Sequence, residues 1–139
     1  MKLKICVIDG QGGGIGSAVI KRLKEEFLDK IEIIAIGTNS IATAAMLKAK
    51  ANKGATGENS VKFIVDKVDM IVGPISIVLA NSMLGELTPS MAENIADSPV
   101  KKFLLPFTQE NIKIIGLQSS PLPHMIDRLI SELKEIINV

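Results

Sequence analysis

The chain has 139 residues, 47% hydrophobic and 22% charged, with sixteen basic side chains against fifteen acidic ones. That size suits one domain spanning residues 1–139; the composition excludes a disordered chain, and the near-cancelled charge offers no basic surface for nucleic acid or anionic membrane. Four Phe without Tyr or Trp leave little for bases to stack on, and the lone cysteine excludes an internal disulfide and fits a reducing, cytoplasmic setting.

Residues 3–8 read as a first strand, apolar enough to be buried on both faces as in a parallel sheet. Lys2 and Lys4 lead into this run, but Asp9 ends it too early for a signal-peptide core. A first helix is predicted over about 14–27. Ile15, Val19, Leu23 and Phe27 recur every four residues there, with Lys21, Arg22, Lys24, Glu25 and Glu26 left for solvent. Residues 31–36 form the second strand, ended by Gly37. Residues 40–50 follow as a helix whose alanines allow close packing. Ala55 and Thr56 make a very short third strand.

Asn59 or Ser60 can cap a third helix, whose apolar positions Val61, Ile64, Val65 and Val68 follow helical spacing. Residues 69–72 are the fourth strand, closed by Gly73 and Pro74. The apolar run 75–84 fits either a strand or a helix and is read as a helix stopped by Gly85; residues 70–79 are about half the ~20 needed to span a bilayer. Thr88 then caps a helix with Pro89 in its first turn, lasting to about residue 97. Residues 102–107 form a strand that Pro106 confines to an edge or ends. Residues 112–117 read as the last strand, and the short link 108–111 allows an antiparallel edge hairpin. Ser120 and Pro121 open the final helix, with Met125, Ile126, Leu129, Ile130, Leu133, Ile136 and Ile137 on one broad face.

Strands alternating with helices predict an α/β three-layer sandwich around a mostly parallel sheet of five or six strands. The chemistry concentrates after the first strand, where Ile8-Asp9-Gly10-Gln11-Gly12-Gly13-Gly14-Ile15-Gly16 runs straight into the first helix. A strand, a glycine turn and a helix start leave backbone N–H groups aimed outward at the positive end of the helix dipole, a setting that suits phosphate.

The spacing Gly10-x-x-x-Gly14-Ile15-Gly16 resembles the loop of the short-chain dehydrogenase/reductase version of the Rossmann fold. What that resemblance implies is a nucleotide or dinucleotide, NAD(P) among them, held by Gly10, Gln11, Gly12, Gly13, Gly14, Ile15 and Gly16. Thr38 and Asn39 stand at the end of the second strand, and Thr56 and Gly73 at the ends of the third and fourth. The acid that such sites place at the second strand end to hold a ribose is absent, since residues 37–39 read Gly-Thr-Asn. The Tyr-x-x-x-Lys chemistry of short-chain reductases is excluded, because the chain has no tyrosine. A Walker A lysine is missing before Ser17, and Gln11 stands where MinD-like ATPases carry a lysine.

Glu58 and Glu86 sit among small residues in loops at predicted strand ends. They are the candidates for acid–base work or Mg²⁺ ligation, with backbone capping as the simpler role. Cys6 reads as a core residue, and His124 as a surface residue without the partners a metal needs. No metal site is predicted.

As a set, residues 8–16, IGTN (36–39), ATGEN (55–59), IVGP (71–74) and MLGELTPSMA (83–92) resemble an uncharacterised family of small bacterial proteins, a domain of unknown function. That resemblance runs to about Leu117 and implies a Rossmann-like cytoplasmic domain without naming a reaction. The function expected is nucleotide binding as a sensor or accessory subunit. The alternatives are an enzyme using Glu58 or Glu86 on a nucleotide-containing substrate, and an interaction module whose glycines are purely structural. A homodimer is expected from the apolar run 75–84 and the broad face of the final helix.

Overall fold

The computed structural model describes residues 2–108 and 110–137. Five parallel strands form one sheet in the order β3-β2-β1-β4-β5. They are β1 (Leu3–Asp9), β2 (Ile31–Gly37), β3 (Lys53–Thr56), β4 (Met70–Pro74) and β5 (Lys101–Leu105). The helices between and after them are α1 (Gly14–Phe27), α2 (Ser40–Lys48), α3 (Glu58–Ile64), α4 (Pro89–Asp97) and α5 (Leu122–Ile137). This is the expected Rossmann-like three-layer architecture.

Alternation along β1 explains the layering. Ile5 and Val7 point into one core with α1, α2 and α5, supplied by Val19, Leu23, Phe27, Met46, Ile130 and Leu133. Cys6 and Ile8 point into the other, with Val61, Val65, Met91 and Ile95 of the α3 and α4 side. Both faces of the central strands are covered, so their sequences are apolar throughout. Cys6 is fully buried, and burial pushes its thiol up to about 12, as befits a packing residue.

Three expectations are corrected. Residues 75–84 are not a helix: a short 3-10 turn, Ile75–Val78, gives way to turns through residue 87. Asn81, Met83 and Leu84 adopt φ of 67°, 59° and 57°, and Ser82 donates its hydroxyl back to the Ser76 carbonyl at 2.6 Å. The apolar run serves the core as an irregular wrap, with Ile77 and Leu87 fully buried while Leu84 is 98% exposed. An apolar run of that length fits a buried helix or an irregular core segment equally well.

Residues 112–117 are not a strand and no antiparallel hairpin forms, so the sheet ends at β5; Gln109, in the expected link, lies outside the described residues. Ile115 is 87% exposed and Gly116 turns the backbone at φ 88°. Apolar residues that gain so little burial have nothing to hold them in a ladder. The third correction is smaller: α3 stops at Ile64, although Val65 and Val68 still pack inward. Pro106 does follow an edge strand, as expected. The apolar face of α5 packs inside the fold, with Met125, Ile126, Leu129, Ile130 and Leu133 all buried.

Among the described residues no helix is long and apolar enough to cross a membrane. The wrap yields a direct test. Leu87→Ala is expected to cost about 2–5 kcal/mol of unfolding free energy, and Leu84→Ala to stay within about 0.5 kcal/mol, as read by urea denaturation.

Candidate functional site

The strand order places β1 between β2 and β4, with the connections from β1 and β4 leaving to opposite faces. Open α/β sheets keep their ligands in the crevice at the carboxyl ends of such strands. The glycine loop lies there, and its own geometry is set by a carboxylate. Asp9, at the end of β1, accepts the N–H of Gly10 at 2.8 Å on one oxygen and of Gly16 at 2.7 Å on the other. Ile15 N–H also donates to it. Burial raises the Asp9 pKa above its ordinary value; the three N–H groups pull it down, and the charge of Glu86 pushes it further up.

The glycines divide into two kinds. A side chain at Gly10 would run into Met83 Sδ and Thr38 Oγ1, and one at Gly16 would meet Met46 Sδ at 2.6 Å. Gly13 holds φ 73°, and a Cβ there would lie 2.9 Å from the Ala42 carbonyl oxygen. At Gly73 a Cβ would press on the Ile8 carbonyl of β1. These four let backbone pack on its neighbours. Gly12 and Gly14 differ, since a Cβ at either meets nothing within 4 Å. The face in front of α1 is open at those two residues.

Glu86 crosses from the β4–α4 connection to the other side of the loop. Its Oε1 accepts the Gln11 N–H at 2.8 Å, the Thr38 hydroxyl at 2.7 Å and the Asn39 side-chain N–H at 2.8 Å. Burial pushes the Glu86 pKa up, but these three donors outweigh it and hold the carboxyl below its ordinary value. Asn39 also caps α2 through the Ala42 N–H and donates to the Gln11 carbonyl. Gln11, Thr38, Asn39 and Glu86 therefore form one cluster.

On the β4 side of the loop is a cavity of about 270 Å³, lined by Asp9, Gln11, Ile15, Ser76, Met83, Phe107, Thr108 and Glu110. It contains two carboxylates and no Lys or Arg, so it favours hydroxyl or amino groups of a ligand over a bare phosphate. A larger groove of about 540 Å³ runs along β5 and α5, away from the loop, and is mainly apolar. The strand ends and polar groups converge on the smaller cavity, which makes it the candidate site.

Two residues expected at the site face elsewhere. Thr56 hydrogen-bonds Thr43 of α2 at 2.7 Å. Glu58, in the first turn of α3, accepts the hydroxyl of Thr88, the residue that caps α4, and so ties two helix starts together. Ser76, Met83, Phe107, Thr108 and Glu110, which also line the cavity, were not singled out from the sequence. Phe107 and Thr108 follow the end of β5 almost directly, a position that would have flagged them. Among the described residues, no group of three or more His, Cys, Asp and Glu is placed to hold a metal ion.

The lowered Glu86 pKa fixes a sign for acid stability. A carboxyl with a folded pKa below its unfolded one stabilises the fold above the ordinary glutamate value of about 4.3, and loses that contribution as pH falls through the folded value. Wild type is therefore expected to exceed Glu86→Gln in stability at pH 6, and the gap to close on acidification below about 4.3. Denaturant unfolding of both proteins across that range measures it.

Two solved structures align with the chain. An FMN-dependent, dodecameric UbiX-like decarboxylase from Escherichia coli O157:H7 aligns with a TM-score of 0.50 at 11% identity, covering 100% of this chain and 96% of that one. A universal stress protein in complex with cAMP aligns with a TM-score of 0.43 at 16% identity, covering 76% of this chain and 98% of that one. At 11% identity the likeness to the decarboxylase is one of fold alone. No curated protein matches the sequence. One family does, over residues 4–138, and the chain belongs to it: Domain of unknown function (DUF3842).

Proposed function

We propose that this protein binds a nucleotide or dinucleotide across the glycine loop, as a sensor or accessory subunit within the cytoplasm. The open backbone at Gly12 and Gly14 supports this reading most directly. It stands between a hydroxyl-accepting carboxylate on the β2 side, Glu86, and the 270 Å³ cavity on the β4 side. A phosphate over Gly12 and Gly14 would meet the start of α1, with a sugar on either flank facing carboxylates that accept from its hydroxyls. Asp9 takes the inner N–H groups for the fold and leaves the outer face of the turn to the ligand.

The glycine geometry supplies a clean variant. Gly14→Val places its side chain in open space, so the variant is expected to fold while blocking a phosphate. In wild type, a ligand at ~100 times its dissociation constant adds about 2.7 kcal/mol of stability, a melting shift on the order of 8–12 °C. ADP, ATP, NAD, NADP, FAD and the FMN of the UbiX-like neighbour form the panel for a thermal scan. A shift in wild type that Gly14→Val loses is the expected result. A wild-type protein unmoved by every member at millimolar concentration leaves the glycines a purely structural role.

Self-association belongs to the same proposal. β5 is an edge strand beside the 540 Å³ groove, whose wall includes Phe103, Leu105, Ile114 and Leu117. Ile115, 87% exposed, adds apolar surface nearby. Light scattering at micromolar concentration is expected to return about twice the chain mass of 14.9 kDa; a value near 14.9 kDa contradicts a dimer.

A further inference from the structure

The sequence lacks an acid at the end of β2, where Gly37-Thr38-Asn39 stands. In dinucleotide sites that acid accepts from the adenosine ribose hydroxyls. The structure returns a carboxylate to the neighbourhood of that strand end from a different part of the chain. The irregular wrap after β4 carries Glu86 over the carboxyl end of β1 to the end of β2, where Thr38 and Asn39 both donate to it. Among the described residues, the Gln11 N–H, the Thr38 hydroxyl and the Asn39 amide all converge on Oε1, and Oε2 accepts from none of them.

We propose that Glu86 is the ribose-binding acid of this site, and that it selects nucleotides with a free 2′-hydroxyl over those carrying a 2′-phosphate. The proposal rests on the nucleotide-binding reading above and adds a residue and a preference to it. Three donors fix one oxygen of Glu86 and orient the group, so the other oxygen is left to accept from a ribose hydroxyl at little entropic cost. A 2′-phosphate would place a second anion against that oxygen. The β2 end offers Thr38 and Asn39, which are neutral, and no Lys or Arg to compensate it.

The wrap explains why the acid need not come from β2. Ser82 bonds the Ser76 carbonyl, the Asn81 N–H bonds the Leu87 carbonyl, and Leu87 is buried in the core. Glu86 is therefore held at the loop by the fold on one side and by its three donors on the other. Its position is built before any ligand arrives.

Calorimetric titration of wild type and Glu86→Gln with two pairs of probes tests this: NAD against NADP, and ADP against 2′-deoxy-ADP. Wild type is expected to bind NAD about tenfold or more tightly than NADP, and ADP about tenfold more tightly than 2′-deoxy-ADP, the worth of one hydrogen bond to a charged group. In Glu86→Gln, which keeps an accepting oxygen but no charge, the NAD preference is expected to shrink to within about threefold. Equal wild-type affinities for NAD and NADP overturn the proposal and leave nucleotide binding standing, as does an undiminished preference in Glu86→Gln. A wild type that binds none of the four probes overturns both readings together. Equal wild-type affinities overturn the proposal even if Glu86→Gln does not fold, and Glu86→Asp, which keeps the charge but shortens its reach, then serves as the second variant, expected to weaken the NAD preference.

Discussion

The Asp9 carboxylate, bonded to the N–H groups of Gly10, Ile15 and Gly16, is the contact on which the site depends. It ends the central strand and closes the turn that starts α1, so it joins the two elements that any ligand at this crevice must touch. A helix start exposes N–H groups that need acceptors, and here a buried anion supplies them at the positive end of the dipole. The cost is visible in the raised pKa of Asp9, which burial pushes up against those same hydrogen bonds. The inner side of the glycine turn is thereby committed to the fold. Of the turn itself, the outward face at Gly12 and Gly14 is left open.

The 75–87 wrap does two jobs through one segment. Ile77 and Leu87 plug the core on the α3 and α4 side, while the turn between them carries Met83 and Glu86 over the glycine loop. Met83 fills the space beside Gly10 and lines the switch-point cavity, and Glu86 bonds Gln11, Thr38 and Asn39. The left-handed backbone at Asn81, Met83 and Leu84 is the local cost of the irregular path.

The result is a crevice with graded character along the strand ends. Acceptors dominate its β2 side at Glu86 and its β4 side at Asp9 and Glu110, and open backbone lies between them. That order suits a molecule with hydroxyls at its ends and an anionic centre. The apolar groove along β5 is of another kind, built from side chains of the edge strand, the 106–117 segment and α5.

Read alone, the sequence determined the alternation of elements, the glycine turn at the end of β1 and the burial of the central strands. These follow from local rules: apolar runs of strand length, four-residue periodicity in α1 with its Phe27 end, and capping by Thr88. Contacts between distant segments were left to the tertiary structure. Nothing local distinguishes Gly12 and Gly14 from Gly10, Gly13 and Gly16; the difference is whether Met83, Ala42 or Met46 lies opposite. Likewise the apolar residues 75–84 and 112–117 satisfy helix and strand patterns, but burial against the rest of the chain decides whether a pattern is used. Glu86 is separated by 75 residues from Gln11 and by 48 from Thr38. Pairings across such separations leave no periodic mark in the sequence, because hydrogen bonds between loops are set by where the sheet and helices deliver them.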